Sequence, residues 1–217
     1  MTRRTQRFDT EMNRAPALRI SHIVYGRRSL RDEGAGHRVT YLVDPDGVGE
    51  ERDIPEEVVL KRWRRRVMEG HTFHGTRLSP NTWRAIGRAF GTDPSVLSAL
   101  GEIELGAGRA ALAVDREEHH FSLPGNDILL ALIDALGAMR LGAILDRHLA
   151  PERADRYGTP DLFLFARDRR RTGVAFYRLV EVKKPKEAIS RDQHEEVGFL
   201  RSIGVPARVL RLIERTR

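Results

Sequence analysis

The spacing of apolar and polar residues predicts a succession of short elements. Ala17 to Tyr25 and His37 to Val43 read as two short strands, with Ile20, Ile23 and Val24 in the first and Val39, Tyr41 and Val43 in the second. The turn Asp44-Pro45-Asp46-Gly47 closes the second, so a β-hairpin or small sheet is expected. Ile54-Pro55-Glu56-Glu57 places proline and acids at a helix start, and Val58, Val59, Trp63 and Val67 recur at helical spacing up to Gly70. Two short helices capped by Ser79 and Asp93 follow between Leu78 and Leu97. They resemble the last two helices of a repressor-type helix-turn-helix, but with no recognition helix and partner visible upstream a small helical subdomain without DNA contact is expected instead.

From Gly101 to Gly125 the pattern is weak, with one short strand expected at Ala111 to Val114 and loop positions for His119 and His120. Two apolar helices come next, Asp127 to Leu136 and Ala138 to Leu149, the second stopping at Ala150-Pro151. Leu162 to Ala166 and Val174 to Val182 read as strands joined by the charged loop Arg167 to Gly173. A helix from Arg191 to Ile203, with Val197, Leu200 and Ile203 inward, and a final strand Ala207 to Leu212 complete the chain. The fold class is therefore α/β, a small mixed sheet flanked by helices, preceded by a small α+β region. We divide the chain into a basic mobile arm (1–15), an N-terminal α+β region (16–115) and a C-terminal domain (116–217).

Composition narrows the function. The 217 residues include 38 Lys+Arg against 31 Asp+Glu, a formal charge of +7. Such a surplus suits a polyanionic partner, and it also suits an arginine-rich genome. Without cysteine there is no disulfide, thiolate zinc site or thiol nucleophile, so any metal must be held by carboxylate, imidazole or backbone oxygen. No uninterrupted apolar run approaches the roughly 20 residues of a membrane span, and no apolar segment follows the N-terminal arginines as in a secretory signal. A cytoplasmic protein without a membrane partner is expected. Of the 38 basic residues only four are lysine, and three of these are Lys183, Lys184 and Lys186. The run Lys61-Arg62-Trp63-Arg64-Arg65-Arg66 reads either as a phosphate-contacting helix face, with Arg62 and Arg65 as DNA contacts, or as an ordinary solvated face.

The lysine cluster coincides with an acid pattern. Gly158-Thr159-Pro160-Asp161 delivers Asp161 to the start of one strand, and the next strand ends Val180-Glu181-Val182-Lys183. Glu181 and Lys183, two apart on a strand, project from one face while Val180 and Val182 project from the other. If the strands pair as a hairpin, Asp161 lies beside Glu181. Two adjacent carboxylates repel and raise each other's pKa, a penalty that a divalent cation removes, and hard oxygen ligands suit Mg²⁺ or Mn²⁺. Such an ion can polarise a phosphoryl oxygen while the compact Lys183 ammonium stabilises developing charge, a role for which a planar guanidinium is no substitute. The plainer readings remain open: an ordinary Glu181–Lys183 ion pair, Asp161 in a turn, Gln193 as a surface helix residue.

Pro160-Asp161 with Glu181-Val182-Lys183 resembles the bipartite signature of the PD-(D/E)xK nucleases. With Gly158, the Lys184-Pro185 pair, Ser190-Arg191-Asp192-Gln193 and Gly204-Val205-Pro206, the pattern resembles the VRR-NUC branch of that superfamily. Leu141 to Leu149 further resembles the version in the Fanconi-anaemia-associated nucleases. The resemblance implies a restriction-endonuclease-like core and a metal-dependent deoxyribonuclease acting on branched or flapped DNA in repair or recombination. It implies Asp161, Glu181 and the main-chain carbonyl of Val182 as ligands of Mg²⁺ or Mn²⁺. It further implies Lys183 as the catalytic lysine, with Gln193 facing the site. Two positions depart from the pattern. Lys184 stands where the family usually has glycine, and the usual helix glutamate is absent, leaving Asp127 and Asp134, seven apart, to compete for that role. Lys184 and Lys186 are assigned to the DNA backbone, and a homodimer is left open. A DNA-binding or regulatory protein on a nuclease fold, or a nuclease effector of a toxin or defence system, are the alternatives.

Overall fold

The computed structural model describes residues 21–25, 27–29, 39–42, 52–90, 124–150, 158–170, 173–184 and 187–214. The arm, the strand expected at 111–114, His119, His120, the Asp93-capped helix and Lys186 lie outside the described residues.

The C-terminal part of the chain forms the elements its pattern predicts. Strands β6 (Leu162–Asp168) and β7 (Val174–Lys183) pair antiparallel, with Leu162 opposite Val180 and Phe165 opposite Tyr177. Helix α4 (Arg191–Ser202) then carries the chain back to β8 (Ala207–Glu214), which runs parallel to β7 with Glu181 beside Val209. Leu162 to Ala166 are buried on both faces, as a central strand requires.

The sheet is completed by two strands from the N-terminal part of the chain. On one side β1 (Ser21–Tyr25) lies parallel to β8, and on the other β5 (His71–Arg77) lies antiparallel to β6, giving the order β1-β8-β7-β6-β5. The sheet thus spans the 115/116 position at which the C-terminal domain was expected to begin. The expected N-terminal hairpin is corrected in its pairing. Residues 21–25 join the large sheet, whereas β2 (Arg27–Ser29), β3 (Val39–Leu42) and β4 (Arg52–Asp53) make a separate three-stranded antiparallel sheet.

Helices cover both faces. Helix α1 (Pro55–Arg64) has Pro55 in its first turn, followed by Glu56 and Glu57, and buries Val58, Val59, Leu60 and Trp63 against Leu164, Val180 and Leu210. Trp63 locks the helix to the strands, its Nε1–H donating to the carbonyls of His74 (2.8 Å) and Phe165 (3.2 Å). The opposite face is covered by α2 (Pro80–Ala89), α3 (Asn126–Leu149) and α4, whose Trp83, Leu132, Leu141 and Val197 pack with Phe163, Leu179 and Val209. Inside α3, Gly137 sits at φ 69°, ψ 170°, so it is two helices meeting at a break, as the pattern predicts. Charges at Asp134 and Arg140 interrupt the apolar sequence, yet Asp127–Leu149, 23 residues containing an 18-residue stretch of mean hydropathy 2.0, is long and apolar enough to cross a membrane by length and composition. Here the segment bends at Gly137 and spends its apolar face on the sheet.

Candidate active site

The β6–β7 register, continued by one residue, sets Asp161 opposite Glu181. Asp161 Oδ2 accepts a 2.7 Å hydrogen bond from the Val182 N–H, so the side chain continues the ladder where β6 has not yet begun. Within a strand, the N–H and C=O of one residue face the same neighbour, so the Val182 carbonyl also faces the Asp161 side. The backbone of Asp161 is fixed from the opposite edge, its carbonyl accepting from the Leu78 N–H at 2.8 Å. Gly158 allows this turn to lie on α4: a Cβ there would stand 3.1 Å from Glu196 Cβ and 3.3 Å from the Asp192 carbonyl oxygen.

Glu181 and Lys183 are 2 % and 3 % exposed. Lys183 Nζ lies 3.1 Å from Glu181 Oε1, and Gln193 Nε2 donates to the same oxygen at 2.5 Å. Gln193 reaches the strand because its helix start is held by a reciprocal cap. Its N–H donates to Ser190 Oγ at 3.2 Å, and its own Oε1 accepts from the Ser190 N–H at 3.0 Å. The structure therefore brings Asp161, Glu181, Lys183 and Gln193 together at one end of the sheet, on the face opposite α1.

Burial, then the charge of Asp161, push the Glu181 carboxyl up to about 8. Burial raises Asp161 to about 6, against the hydrogen bond from Val182 that lowers it. The charges of Glu56 and Glu187 also raise Asp161. Neither residue stands out in sequence. Glu56, half-buried in the first turn of α1, reads as an ordinary N-terminal helix acid. Glu187 Oε1 lies 3.5 Å from Lys183 Nζ while its Oε2 accepts from the Lys184 N–H at 3.0 Å. The buried Arg211 secures this loop, donating to the carbonyls of Lys184 (3.1 Å) and Glu187 (2.5 Å). Among the described residues, no three His, Asp or Glu side chains are gathered closely enough to enclose a cation by themselves.

Asp127 is not brought to the pair. It is exposed at the start of α3, and its carbonyl accepts from Arg167 near the far end of β6, roughly 20 Å of strand from Asp161. Asp134 is exposed on the same helix. Lys184 is exposed immediately after the site, while Arg62 and Arg65 are exposed on the α1 side of the sheet.

A second buried acid stands one turn beyond Gln193. Glu196, 1 % exposed, accepts from Arg147 Nε and His148 Nε2, each at 2.8 Å. His148 stacks on Trp83 (ring centroids 5.7 Å apart) and Arg147 lies 4.4 Å over Phe199, so this cluster ties α2 and α3 to α4.

Among curated proteins, none matches the chain. Among solved structures it is similar to paFAN1 bound to 2-nt 5′-flap DNA with a gap, at TM-score 0.52 and 20 % identity over 75 % of this chain and 35 % of that one. It is likewise similar to paFAN1 bound to 1-nt 5′-flap DNA with a gap, at TM-score 0.54 and 18 % identity over 91 % of this chain and 38 % of that one. The present chain thus spans little more than a third of the length of those structures, and the likeness is one of fold. The family model of the VRR-NUC domain matches residues 109–212, which contain Asp161, Glu181, Lys183 and Gln193. The C-terminal half of this chain carries a VRR-NUC domain.

Proposed function

We propose that the protein is a metal-dependent deoxyribonuclease that hydrolyses DNA phosphodiester bonds with Mg²⁺ or Mn²⁺ held by Asp161, Glu181 and the Val182 carbonyl. The observation that carries this reading is the half-buried Asp161 beside the buried Glu181, their carboxyls raised to about 6 and about 8, with the ammonium of Lys183 against Glu181. The donor set fits the ion. Mg²⁺ binds through one or two carboxylates and keeps several waters, so it needs no closed cage of three side chains. When bound, a divalent cation supplies Lewis-acid polarisation of the phosphodiester and favours the ionised form of both acids.

The chain's own groups do the rest. Gln193 fixes the rotamer of Glu181 through its bond to Oε1. Glu187 and Glu181 hold the Lys183 ammonium between them, so that its charge is already in place when negative charge grows on the phosphoryl oxygens. Glu56 adds a further negative charge at the Asp161 side, which strengthens attraction for a cation. The exposed Lys184, with Lys186, Arg62 and Arg65, contacts DNA phosphates.

For the substrate we favour branched or flapped DNA, because the protein of similar fold is bound to 5′-flap DNA. Incubation with flap, four-way-junction, duplex and single-stranded DNA in Mg²⁺ or Mn²⁺ tests this. Preferential cutting of the flap or junction is expected, and equal rates on all four would remove the structure-specific part of the reading.

A further inference from the structure

On the face of the sheet opposite the acid pair, α1 and strands β7 and β8 enclose a groove of about 490 Å³. Arg62, Arg65, Arg66, Arg178 and Arg208 line it above an apolar floor that includes Val180 and Leu210. Arginines from three separate elements converge here, which the local run on α1 does not by itself produce. Arg66 is oriented from below, its guanidinium lying 5.0 Å over the Trp63 ring and 5.7 Å over that of Phe73. Burial, then the charges of Arg208 and Arg66, bring the Arg178 guanidinium down to about 10, so the groups crowd one another. A multivalent anion relieves that repulsion. The guanidinium fork matches phosphate geometry, and the volume accommodates a nucleotide unit of a strand.

We propose that this groove is a second DNA-binding surface, taking internal backbone phosphates of the strand engaged at Asp161 and Glu181. The inference rests on the reading of DNA as the partner. Helix α1 links the two places, since Glu56 acts on Asp161 at its first turn while Arg62 follows at about 9 Å along the axis. Val180 lines the groove and its neighbour Glu181 faces the site, so a strand crossing the sheet end reaches both.

The test is the salt dependence of DNA binding, read by fluorescence anisotropy of a labelled duplex in EDTA, with the full chain. Arg62→Gln/Arg65→Gln removes two exposed arginines, and Arg178→Gln alters the groove from the sheet side. For every arginine–phosphate ion pair removed, the slope of log K against log [salt] should flatten by about 0.9 and binding should weaken about eightfold at 0.1 M salt. Wild-type slopes in both arginine variants, each confirmed folded by thermal unfolding, would overturn the proposal. So would binding of a polyglutamate peptide by wild type but not by Arg178→Gln with DNA slopes unchanged, which assigns the groove to an acidic protein. No cleavage is read, so a catalytically inert wild type would refute the nuclease reading alone, and unchanged slopes would refute the groove and the assignment of Arg62 and Arg65 to DNA while leaving the nuclease reading untouched.

Discussion

Replacing Glu196 tests how the helix that presents Gln193 is held in place. The carboxylate is 1 % exposed and accepts two 2.8 Å bonds, from Arg147 and His148. Removing one partner of a buried ion pair leaves the other charge desolvated, at a cost of about 3–5 kcal/mol. The lower end applies here, because the Arg147 side chain is 19 % exposed and keeps its stack on Phe199. Glu196→Ala should therefore lower the free energy of unfolding by about 3 kcal/mol, and Glu196→Gln, which keeps the volume and one acceptor, by less. Burial pushes the Glu196 carboxyl up, but the hydrogen bond and charge of His148, with those of Arg147, outweigh it and hold the group below its ordinary 4.5. A depressed carboxyl contributes stability that is complete above the unfolded pKa and is lost as pH falls through the folded one. Urea unfolding followed by circular dichroism should thus show the full difference between wild type and Glu196→Ala at pH 7 and a shrinking one below pH 4.5. A difference under 1 kcal/mol at pH 7, or one unchanged at pH 3, would refute the reasoning.

Glu181 should show the opposite sign. Its folded pKa is raised to about 8, so its contribution is present below the unfolded value and is lost as pH rises toward 8. In EDTA the wild-type Tm should fall between pH 5 and 8 relative to that of Glu181→Gln; parallel curves would contradict this. Addition of Mn²⁺ at pH 8 should raise the wild-type Tm, by about 2.7 kcal/mol of stabilisation at one hundred times Kd, and leave Asp161→Asn and Glu181→Gln unmoved. Equal shifts in all three would place the ion elsewhere. Gln193→Ala, which frees Glu181 to rotate, should weaken cation affinity or activity about 10- to 100-fold, and an effect under twofold would make Gln193 a helix cap only.

The parts of the fold and site legible in sequence are those set by local pattern. Period-2 alternation places Glu181 and Lys183 on one face of β7, and Ser190 with Gln193 marks the start of α4. The break in α3 shows as Gly137 between two apolar helices. Strand β5 is not legible, because His71-Thr72-Phe73-His74-Gly75 has neither alternation nor a run of β-branched residues. Gly75, which weakens the signal, is there because a Cβ would stand 2.9 Å from both Leu60 and Leu164. The pairing of β1 with β8 joins residues about 190 apart and has no local signature. The same holds at the site. Glu56 reaches Asp161, and Glu196 meets Arg147 and His148, only once α1 and α4 are packed. Asp127 shows the converse, an acid that follows the family's helix position in sequence and stands at the wrong end of β6 in space.

The central claim is that Asp161, Glu181 and Lys183 form a cation-dependent phosphodiesterase centre. Single-turnover cleavage of a gapped 5′-flap DNA, in Mn²⁺ and in EDTA, with wild type, Glu181→Ala and Lys183→Met, tests it most directly. Wild type should cut in Mn²⁺ and not in EDTA, Glu181→Ala should be inactive, and Lys183→Met should cut about 10²- to 10³-fold more slowly while binding the DNA as tightly. Cleavage that persists in EDTA, or in Glu181→Ala, would contradict the account.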